Sequence, residues 1–276
     1  MIPAPFEYER ADSVDGAIQL LSANEDAKII AGGHSLLPLM RLRLARPSML
    51  VDISRVSDLR YIKEEGQSIA IGALTRHHDV ANDDALQRLC PILPYAASKI
   101  GDPQVRHVGT IGGSVAHADP AGDMPAVLLA LGAEMIVRGA NGASRTVKAD
   151  DFFRGLFEPD LASNEVLTEI RVPRTGERGW SYVKFNRRAQ DWALVGVAAL
   201  ASNGAPAAVT LTNMADRPMH ASGVEEELAG GADPAKAAER AAENTRPPSD
   251  AFASAEYRHE LVKVLVRRAL EEALRR

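Results

Sequence analysis

The amino-acid sequence predicts a protein that mixes helices and strands, of the α/β or α+β class. In the first half of the chain, short apolar runs alternate with segments whose apolar residues have helical spacing. From about residue 180, three strand-like runs follow one another, and two helical stretches rich in Ala and Glu end the chain. A length of 276 residues, 46% of them hydrophobic, suffices for one large domain or two moderate ones.

The first part of the chain alternates between the two kinds of element. The predicted elements, in chain order, are a helix over 13–23 with Ser13 as its N-cap, strands at 27–31, 49–53 and 68–72, a helix capped by Thr75 that extends through Val80, and a helix over 91–100. This alternation is what favours a mixed fold over an all-helical or all-strand one.

The second part is predicted to begin with a glycine-rich turn and to change character near 173–179. The predicted elements are a turn at 109–114, a helix over 123–131, strands at 134–137, 165–172, 180–186, 193–201 and 207–214, and helices over 234–244 and 255–276. The change of character predicts a boundary at about residue 175, between domains 1–175 and 176–276.

Charge and hydropathy exclude several classes of protein. The formal net charge is −5, and the one basic cluster, at 184–188, is too short for a nucleic-acid footprint, so no nucleic-acid partner is expected. No apolar run reaches the ~18 residues that a membrane span requires. No signal peptide is visible at the start of the chain. We therefore expect no membrane span and a cytoplasmic location.

The chain contains a single cysteine, Cys90, so it cannot form an internal disulfide. An iron–sulfur cluster normally needs about four Cys ligands, and a structural zinc site also needs several, so neither is expected on this chain. No nucleophile stands with a base, and no catalytic residue or metal ligand is predicted. His77 and His78 are interpreted as surface or capping residues.

The first glycine pair, Gly32 and Gly33, follows the predicted strand at 27–31 within residues 31–36 (AGGHSL). Adjacent glycines let the backbone approach a ligand closely and present successive N–H groups, a nest that binds phosphate without Lys or Arg. The alternative is an ordinary tight turn. The spacing is not G-x-G-x-x-G, so a nicotinamide-binding Rossmann site is not supported.

The second glycine pair, Gly112 and Gly113, lies in residues 109–114 (GTIGGS). The hydroxyls of Thr110 and Ser114 flank this pair and can bind phosphate oxygens or a ribityl chain. Each loop alone is also explained as a turn, whereas two in one chain are what a long cofactor with a pyrophosphate requires. Asp123 is expected to open a helix, where the helix dipole favours a carboxylate.

Several segments in the same order carry a family resemblance. They are 31–44 (AGGHSLLPLMRLRL), 110–114 (TIGGS), 117–120 (HADP), 164–170 (NEVLTEI), 184–185 (KF), 191–195 (DWALV) and 249–270. The chain thereby resembles, over essentially its whole length, the FAD-binding medium subunit of molybdenum hydroxylases. Carbon monoxide dehydrogenase medium chains and the flavin domain of xanthine dehydrogenase belong to this group.

The resemblance implies an α+β fold with non-covalent FAD. Two α/β subdomains of the PCMH type, divided near 55–60, would enclose FAD within 1–175, and 176–276 would form a C-terminal domain with an antiparallel sheet and helices. A large molybdopterin subunit would oxidise the substrate. A small [2Fe–2S] subunit would deliver the electrons to FAD, from which they reach an external acceptor. The complex would be a dimer of heterotrimers.

Carried over position by position, the resemblance also assigns the cofactor site. The two loops would hold the pyrophosphate and ribityl portions, and Asp123 would bind adenosine or ribityl hydroxyls. Leu167 would contact the flavin through its backbone, with Lys184 nearby. Trp192 would shield one face of the ring or, alternatively, be a core aromatic on a strand. The expected set is Lys28, Ile29, Ile30, Ala31, Gly32, Gly33, His34, Ser35, Leu36, Ile100, Gly109, Thr110, Ile111, Gly112, Gly113, Ser114, Asp123, Leu167, Lys184 and Trp192.

Two other functions stay open at this point. In related flavin oxidases a Gly-Gly-His loop supplies a histidine bonded covalently to the flavin, so a self-contained oxidase with FAD attached to His34 is one alternative. The medium subunits hold FAD non-covalently, and the rest of the chain matches them better. The other alternative is a scaffold or assembly protein without cofactor, against which the two intact glycine pairs argue.

Overall fold

The computed structural model describes residues 2–202 and 205–276, and its N-terminal part is a small parallel sheet. The elements are β1 (Glu7–Arg10), α1 (Val14–Ala23), β2 (Ala27–Ile30), α2 (Leu36–Arg41) and β3 (Met49–Asp52). The strand order is β1–β3–β2, which leaves β2 at an edge. Helix α1 begins as predicted, since Ser13 Oγ accepts a hydrogen bond from the N–H of Gly16 at 3.0 Å.

A five-stranded sheet follows, covered by a series of short helices. The elements are β4 (Ile62–Glu65), β5 (Ser68–Gly72), α3 (His77–Asn82), α4 (Asp84–Leu89), α5 (Ile92–Ser98), α6 (Pro103–Val108), α7 (Ile111–His117), α8 (Asp123–Ala130), β6 (Glu134–Arg138), β7 (Ser144–Lys148), α9 (Ala149–Phe152), β8 (Phe153–Gly155), β9 (Glu158–Pro159) and β10 (Val166–Pro173). The strand order is β4–β5–β10–β6–β7, with all neighbours antiparallel.

The C-terminal part is an antiparallel sheet covered by helices. The elements are β11 (Gly179–Phe185), β12 (Val195–Ser202), β13 (Ala205–Thr212), β14 (Met219–His220), α10 (Ser222–Ala229), α11 (Pro234–Ala238) and α12 (Ala255–Ala273). The strands pair in sequence order. The predicted α+β fold, with an antiparallel C-terminal sheet, is confirmed. No helix within residues 2–202 and 205–276 combines the length and apolar character needed to cross a membrane.

Helix α8 lies in the interior, between helices α5, α7 and α9 and the C-terminal sheet. All of its residues are buried. On the C-terminal side, Thr210 Oγ1 donates a hydrogen bond to the carbonyl of Ala126 at 2.7 Å. The apolar cluster that contains Met124 also includes Tyr182 and Leu200 of the C-terminal sheet. The two parts of the chain therefore share this apolar cluster, beside a separate cluster within the C-terminal part, and Asp123, the first residue of α8, is buried.

Several predicted elements differ from the structure. Thr75 does not cap a helix, because its hydroxyl donates to the Tyr61 carbonyl at 2.9 Å and α3 begins two residues later. The turn predicted at 109–114 is largely the first part of helix α7, with Thr110 as its N-cap. The helix predicted over 234–244 ends at Ala238 and continues as turns.

Strand β1 is not apparent in the sequence. Its four residues, EYER, are all exposed, so they lack the alternation of apolar and polar residues that marks a strand. Parallel pairing with β3 nevertheless places it in the sheet.

Candidate cofactor site

The first loop (residues 31–36) follows the edge strand β2 and packs closely against the backbone before helix α7. A Cβ added to Gly32 would lie 2.3 Å from the carbonyl oxygen of Val108 and 2.9 Å from the Cα of Gly109. Gly33 has a φ of +72°, in the left-handed region that favours glycine. Both glycines are therefore required, one by contact and one by conformation.

The first loop leaves a run of backbone donors unused. Among the described residues, no acceptor takes a hydrogen bond from the backbone N–H of Gly32, Gly33, His34, Ser35 or Leu36. The next N–H, that of Leu37, donates to the Gly33 carbonyl at 2.9 Å and begins helix α2. Successive free N–H groups around glycines form the kind of concavity that binds phosphate. This donor set fits the pyrophosphate of a dinucleotide cofactor.

The second loop (residues 109–114) uses its donors within the protein. The Gly109 N–H donates to the Val105 carbonyl at 2.7 Å, and the Gly112 N–H to the Ala73 carbonyl at 2.9 Å. The Gly113 N–H donates to Thr110 Oγ1 at 3.1 Å, in the usual manner of a helix N-cap. A Cβ on Gly112 would lie 2.5 Å from that of Ala73. This loop is braced against β5 and does not form a nest.

Two groups of the second loop still face outward. Gly113 is exposed, and Ser114 is half-buried. The Ser114 hydroxyl has no hydrogen-bonding partner within the described part of the chain. These groups could hold a polyhydroxylated portion of a cofactor, such as a ribityl chain, next to the first loop.

His77 lies beneath the junction of the two loops, contrary to the surface position predicted for it. Its backbone N–H donates to the Gly109 carbonyl at 3.0 Å, and its side chain is buried. Burial, reinforced by Arg106 and His34, lowers the pKa of His77 to about 4, so the imidazole is neutral at neutral pH. Its Nδ1 has no partner among the described residues. His78, in contrast, is half-buried and stacks on His107 with a centroid distance of 4.0 Å.

Leu167 lies beside the second loop, because Ala73 forms hydrogen bonds both with that loop and with Thr168, the residue that follows Leu167. The N–H of Ala73 donates to the Thr168 carbonyl at 2.9 Å, while the Ala73 carbonyl accepts from Gly112. Leu167 is buried at a bulge in β10, beyond the point where β10 pairs with β5. The structure therefore places Leu167 next to the second loop, which packs against the first. Lys28, Ile29 and Ile30 lead into the first loop, with Lys28 exposed.

A buried ion pair lies at the other end of helix α6. Lys184 Nζ is 3.0 Å from Asp123 Oδ2, and both side chains are less than a tenth exposed. Tyr182 donates its hydroxyl to Asp123 Oδ1 at 2.5 Å. Burial raises the pKa of Asp123, against the opposing effect of Lys184 and Tyr182. Burial and the neighbouring Asp123 raise the pKa of Tyr182 well above its ordinary value, so its phenol remains a donor.

The ion pair adjoins a pair of clefts beside the start of α6. Lys184 Nζ also donates to the Lys99 carbonyl at 3.1 Å, next to Ile100. One cleft of about 430 Å³ is lined by residues that include Lys99, Gly101, Lys184 and Ala189. A second, of about 400 Å³, is lined by Gly101, Asp102, Val105, Arg188, Ala189, Gln190 and Asp191. The ion pair therefore borders a space large enough for part of a cofactor.

Trp192 lies in the loop of residues 186–192 that connects β11 to β12, called here the Trp192 loop. Its side chain is 63% exposed, so the alternative of a core aromatic on a strand is wrong. The neighbouring residues Arg188 to Asp191 form the wall of the second cleft. Trp192 is thus free to cover a bound group.

The predicted site residues form two groups, one at each end of helix α6. The loops and Leu167 lie at its C-terminal end, and Ile100, Asp123, Lys184 and Trp192 at its N-terminal end. Six residues of α-helix span about 9 Å, so only an elongated molecule reaches both groups. The sequence analysis did not identify His77 and Tyr182 as site residues. Tyr182 could have been found from strand alternation, because it lies two residues before Lys184 and therefore on the same face of β11.

Comparisons with protein families and with individual proteins indicate the same family. Residues 4–175 match the family described as "FAD binding domain in molybdopterin dehydrogenase", and residues 180–273 match "CO dehydrogenase flavoprotein C-terminal domain". The carbon monoxide dehydrogenase medium chain of Hydrogenophaga pseudoflava is 41% identical over 99% of this chain and 98% of its own length. The glyceraldehyde dehydrogenase medium chain of Sulfolobus acidocaldarius is 40% identical over 99% of each chain.

Solved structures agree with these sequence relatives. Carbon monoxide dehydrogenase from Hydrogenophaga pseudoflava matches with a TM-score of 0.94 and 42% identity, covering 99% of this chain and 98% of that one. Quinoline 2-oxidoreductase from Pseudomonas putida 86 matches with a TM-score of 0.92 and 35% identity, with the same coverage. The chain therefore belongs to the FAD-binding medium subunits of the molybdenum hydroxylases, and it is a flavoprotein subunit of an oxidoreductase.

Proposed function

We propose that this chain is the electron-transfer subunit of a molybdenum hydroxylase complex, in which it holds FAD non-covalently between a small iron–sulfur subunit and an external electron acceptor. The observation that carries the proposal is the run of five N–H groups at residues 32–36 that have no acceptor within the described ranges 2–202 and 205–276. Bound FAD would supply the capacity to accept two electrons together and release them singly. The residues of this chain bind the cofactor, orient it and set its electrostatic surroundings.

The first loop would hold the pyrophosphate. Its five N–H groups have no acceptor among the residues that the structure describes, and Gly33 supplies the left-handed turn that aligns them. Two glycines keep side chains away from the phosphates. Lys28, Ile29, Ile30 and Ala31 would form the approach to this loop, while His34, Ser35 and Leu36 complete it.

The second loop would support the first and hold the ribityl chain. Gly109, Ile111 and Gly112 form the frame on which Gly32 rests, because their backbone groups are bound to α6, α3 and β5. Gly113 and the Ser114 hydroxyl face outward and would contact the cofactor, with Thr110 fixing their position as the N-cap. The backbone of Leu167 would contact the flavin ring beside them.

The buried ion pair would tune the far end of the site. Lys184 places a positive charge in a region of low exposure, and Asp123 and the Lys99 carbonyl hold its ammonium in position. A cation beside a flavin favours the reduced, more negative form of the ring. Asp123 would also bind cofactor hydroxyls, Ile100 would pack against the cofactor, and Trp192 would shield one face of the ring.

The redox centres would be divided among subunits. Several relatives carry names that describe them as a medium chain or medium subunit. We place the molybdopterin and the substrate site on a large subunit and the [2Fe–2S] clusters on a small one. The only cysteine here, Cys90, is buried, and burial raises its pKa to about 12, so it remains a neutral thiol. The complex would be a dimer of heterotrimers in the cytoplasm.

The domain division would follow the sheets. The three-stranded parallel sheet ends with β3, and the five-stranded sheet begins with β4, on either side of the proposed subdomain boundary near 55–60. The proposed boundary at about residue 175 falls between β10 and β11, the strands that end one sheet and begin the next.

The test is purification of the native complex, followed by acid precipitation and metal analysis of its separated subunits. Before precipitation, we expect one FAD bound to each copy of this chain. After precipitation, the FAD should be in the supernatant. Iron and molybdenum should be confined to two partner subunits. A yellow pellet would instead favour FAD bonded to His34 and a self-contained oxidase. Two or more iron atoms on this chain, or failure of the purified chain to take up FAD, would contradict the proposal.

A further inference from the structure

The Trp192 loop depends on a small number of contacts at its base. Its own polar contacts are mostly internal: Asn186 Nδ2 donates to the Arg188 carbonyl at 2.6 Å, and Arg188 pairs with Asp191 at 2.9 Å. Residues 187–190 and Trp192 are exposed. Ala193 and Leu194, which follow directly, are buried. Away from its base, the loop contacts the Phe252 ring, over which Arg187 lies at 5.0 Å. Its hydrogen-bonded support lies where it enters β12.

Asn213 holds the backbone at that point. Its side-chain Nδ2 donates to the Ala193 carbonyl at 2.8 Å and to the Leu194 carbonyl at 3.3 Å. The fully buried Arg258 donates to the same Leu194 carbonyl and pairs with Asp250 at 2.7 Å. The two carbonyls at the base of the loop are thus fixed by side chains from β13's end and from α12.

The backbone of Asn213 reaches the turn that precedes Asp123. Its N–H donates to the carbonyl of Pro120 at 2.8 Å. Pro120 belongs to the turn of residues 119–122, which is closed by the bond from the Gly122 N–H to the Asp119 carbonyl at 2.9 Å. Asp123, the partner of Lys184, follows this turn immediately. One residue therefore links the base of the Trp192 loop to the segment that delivers Asp123.

The chemistry of this position calls for asparagine. The φ of Asn213 is +61°, a left-handed conformation that Asn tolerates better than most residues. Its amide supplies two N–H donors, as two neighbouring carbonyls require. Aspartate would adopt the same backbone but would direct a carboxylate at both carbonyls and could not donate. The residue satisfies a backbone and a hydrogen-bonding requirement at once.

We infer that Asn213 is a positioning residue for the cofactor site, which holds the Trp192 loop at a fixed distance from Asp123 and Lys184. The inference rests on the proposed function in so far as Trp192 covers bound FAD. Asn213 itself lies behind the loop and would touch no cofactor atom. Its loss should free the loop while the rest of the fold persists.

The test compares Asn213→Gly with Asn244→Gly. Glycine accepts the left-handed conformation at both positions, where φ is +61° and +59°, so the backbone cost of the two substitutions is matched. Asn213→Gly keeps the N–H bond to Pro120 and removes only the side-chain bonds to Ala193 and Leu194, at the base of the loop. Asn244 is exposed, and no hydrogen bond within the described part of the chain joins it to the Trp192 loop.

The first measurement needs no ligand. Under native conditions, trypsin should cut after Arg187 or Arg188 about tenfold faster in Asn213→Gly than in the wild-type chain, because cleavage follows local opening of the loop. Asn244→Gly should stay within about twofold of wild type. Equal cleavage of the two variants would overturn the inference, whether or not the chain binds FAD.

The second measurement asks whether Asn213 acts through the loop. Asn213→Gly should weaken FAD binding about tenfold in the wild-type background. In a Trp192→Ala background the same substitution should change FAD affinity by less than about twofold, since a shared element makes the effects non-additive. A full tenfold effect in that background would overturn the inference. A wild-type chain that takes up no FAD would refute the proposed function, and the trypsin measurement would still judge the role of Asn213.

Discussion

The two glycine-pair loops have similar composition, yet they use their backbone N–H groups in opposite ways. In residues 31–36 five successive N–H groups have no acceptor among the described residues, whereas at residues 109–114 those of Gly109, Ile111, Gly112, Gly113 and Ser114 all donate within the protein. The first loop follows an edge strand and is only partly buried. The second is enclosed by β5, α3 and α6. Neighbours, and not the glycines themselves, decide whether a loop presents its donors to a ligand or to the fold.

The largest expected effect is a loss of stability when the second loop is overpacked. Gly112→Val would place a branched side chain 2.5 Å from the Cβ and 2.6 Å from the carbonyl oxygen of Ala73. Overpacking of this severity should lower the free energy of unfolding by about 3 kcal/mol, measured by urea denaturation. Gly139→Val is the control, because a Cβ there meets only the Glu165 side chain at an ordinary 3.5 Å. Equal stability of the two variants would show that the close packing of the second loop against Ala73 does not stabilise the fold.

The ligand-binding loop should respond in the opposite way. Gly33→Val should weaken FAD binding about 100-fold, or about 2.7 kcal/mol, because the branched residue resists the left-handed turn that aligns the N–H groups. An added Cβ would also lie 2.9 Å from the end of the flexible Leu37 side chain, which must shift. Because that shift costs little, the loss of stability should stay close to the cost of the conformation, about 1–2 kcal/mol. Gly142→Val carries the same conformational cost at a φ of +73°, with nothing within 4 Å of the added Cβ.

Titration with FAD and denaturation of both chains separate the two effects. Gly142→Val should bind FAD as the wild-type chain does. If Gly33→Val also kept wild-type affinity, the first loop would not hold the pyrophosphate.

A smaller effect concerns the buried histidine under the second loop. Folding lowers the pKa of His77 from its ordinary 6.5 to about 4. Between these values the unfolded chain binds a proton that the folded chain does not, so stability falls as the pH falls. From pH 7 to pH 5 the contribution of His77 is a loss of about 2 kcal/mol. His77→Gln should show a correspondingly shallower dependence in urea denaturation at the two pH values; an identical slope would mean that His77 does not titrate in this way.

The smallest effects separate the two hydroxyls of the second loop. Thr110→Ala removes the N-cap of α7 and should lower the free energy of unfolding by about 1 kcal/mol. Ser114→Ala removes a hydroxyl without a protein partner in the described residues, so stability should be unchanged while FAD affinity falls about fivefold. Denaturation and FAD titration of both variants provide the measurement. Reversal of the two outcomes would exchange the proposed roles of these residues.

Local patterns predicted the elements that depend on local chemistry. Ser13 caps α1, and the strands that contain Val51, Ile71 and Val197 are where apolar runs placed them. The family resemblance, carried by segments in a fixed order, gave the α+β fold and the FAD assignment, which the relatives confirm. These features follow from residues close together in the sequence.

The errors concern features that distant residues determine. The glycine pair at 112–113 is typical of a turn, but the carbonyls of Ala73 and Thr75 and the hydroxyl of Thr110 hold it in a helix. His77 is buried because Gly109 passes over it. The contacts of Asp123 with Tyr182 and Lys184 were not predicted. The two residues lie on β11, 59 and 61 residues after Asp123 in the sequence. No local pattern contains these contacts.

Helix α8 has a consequence for any attempt to cut the chain. A fragment that ends near residue 175 would retain α8 but would lose β11, β12 and β13, against which one side of the helix is packed. The helix is buried on all sides and mostly apolar, so that side would face water, a condition that leads to aggregation. The Asp123 carboxylate would also lose Lys184 and Tyr182. The two family segments are therefore separate in the sequence but packed together in the structure. Truncation between them would divide a shared apolar cluster and would not release an independent flavin-binding module.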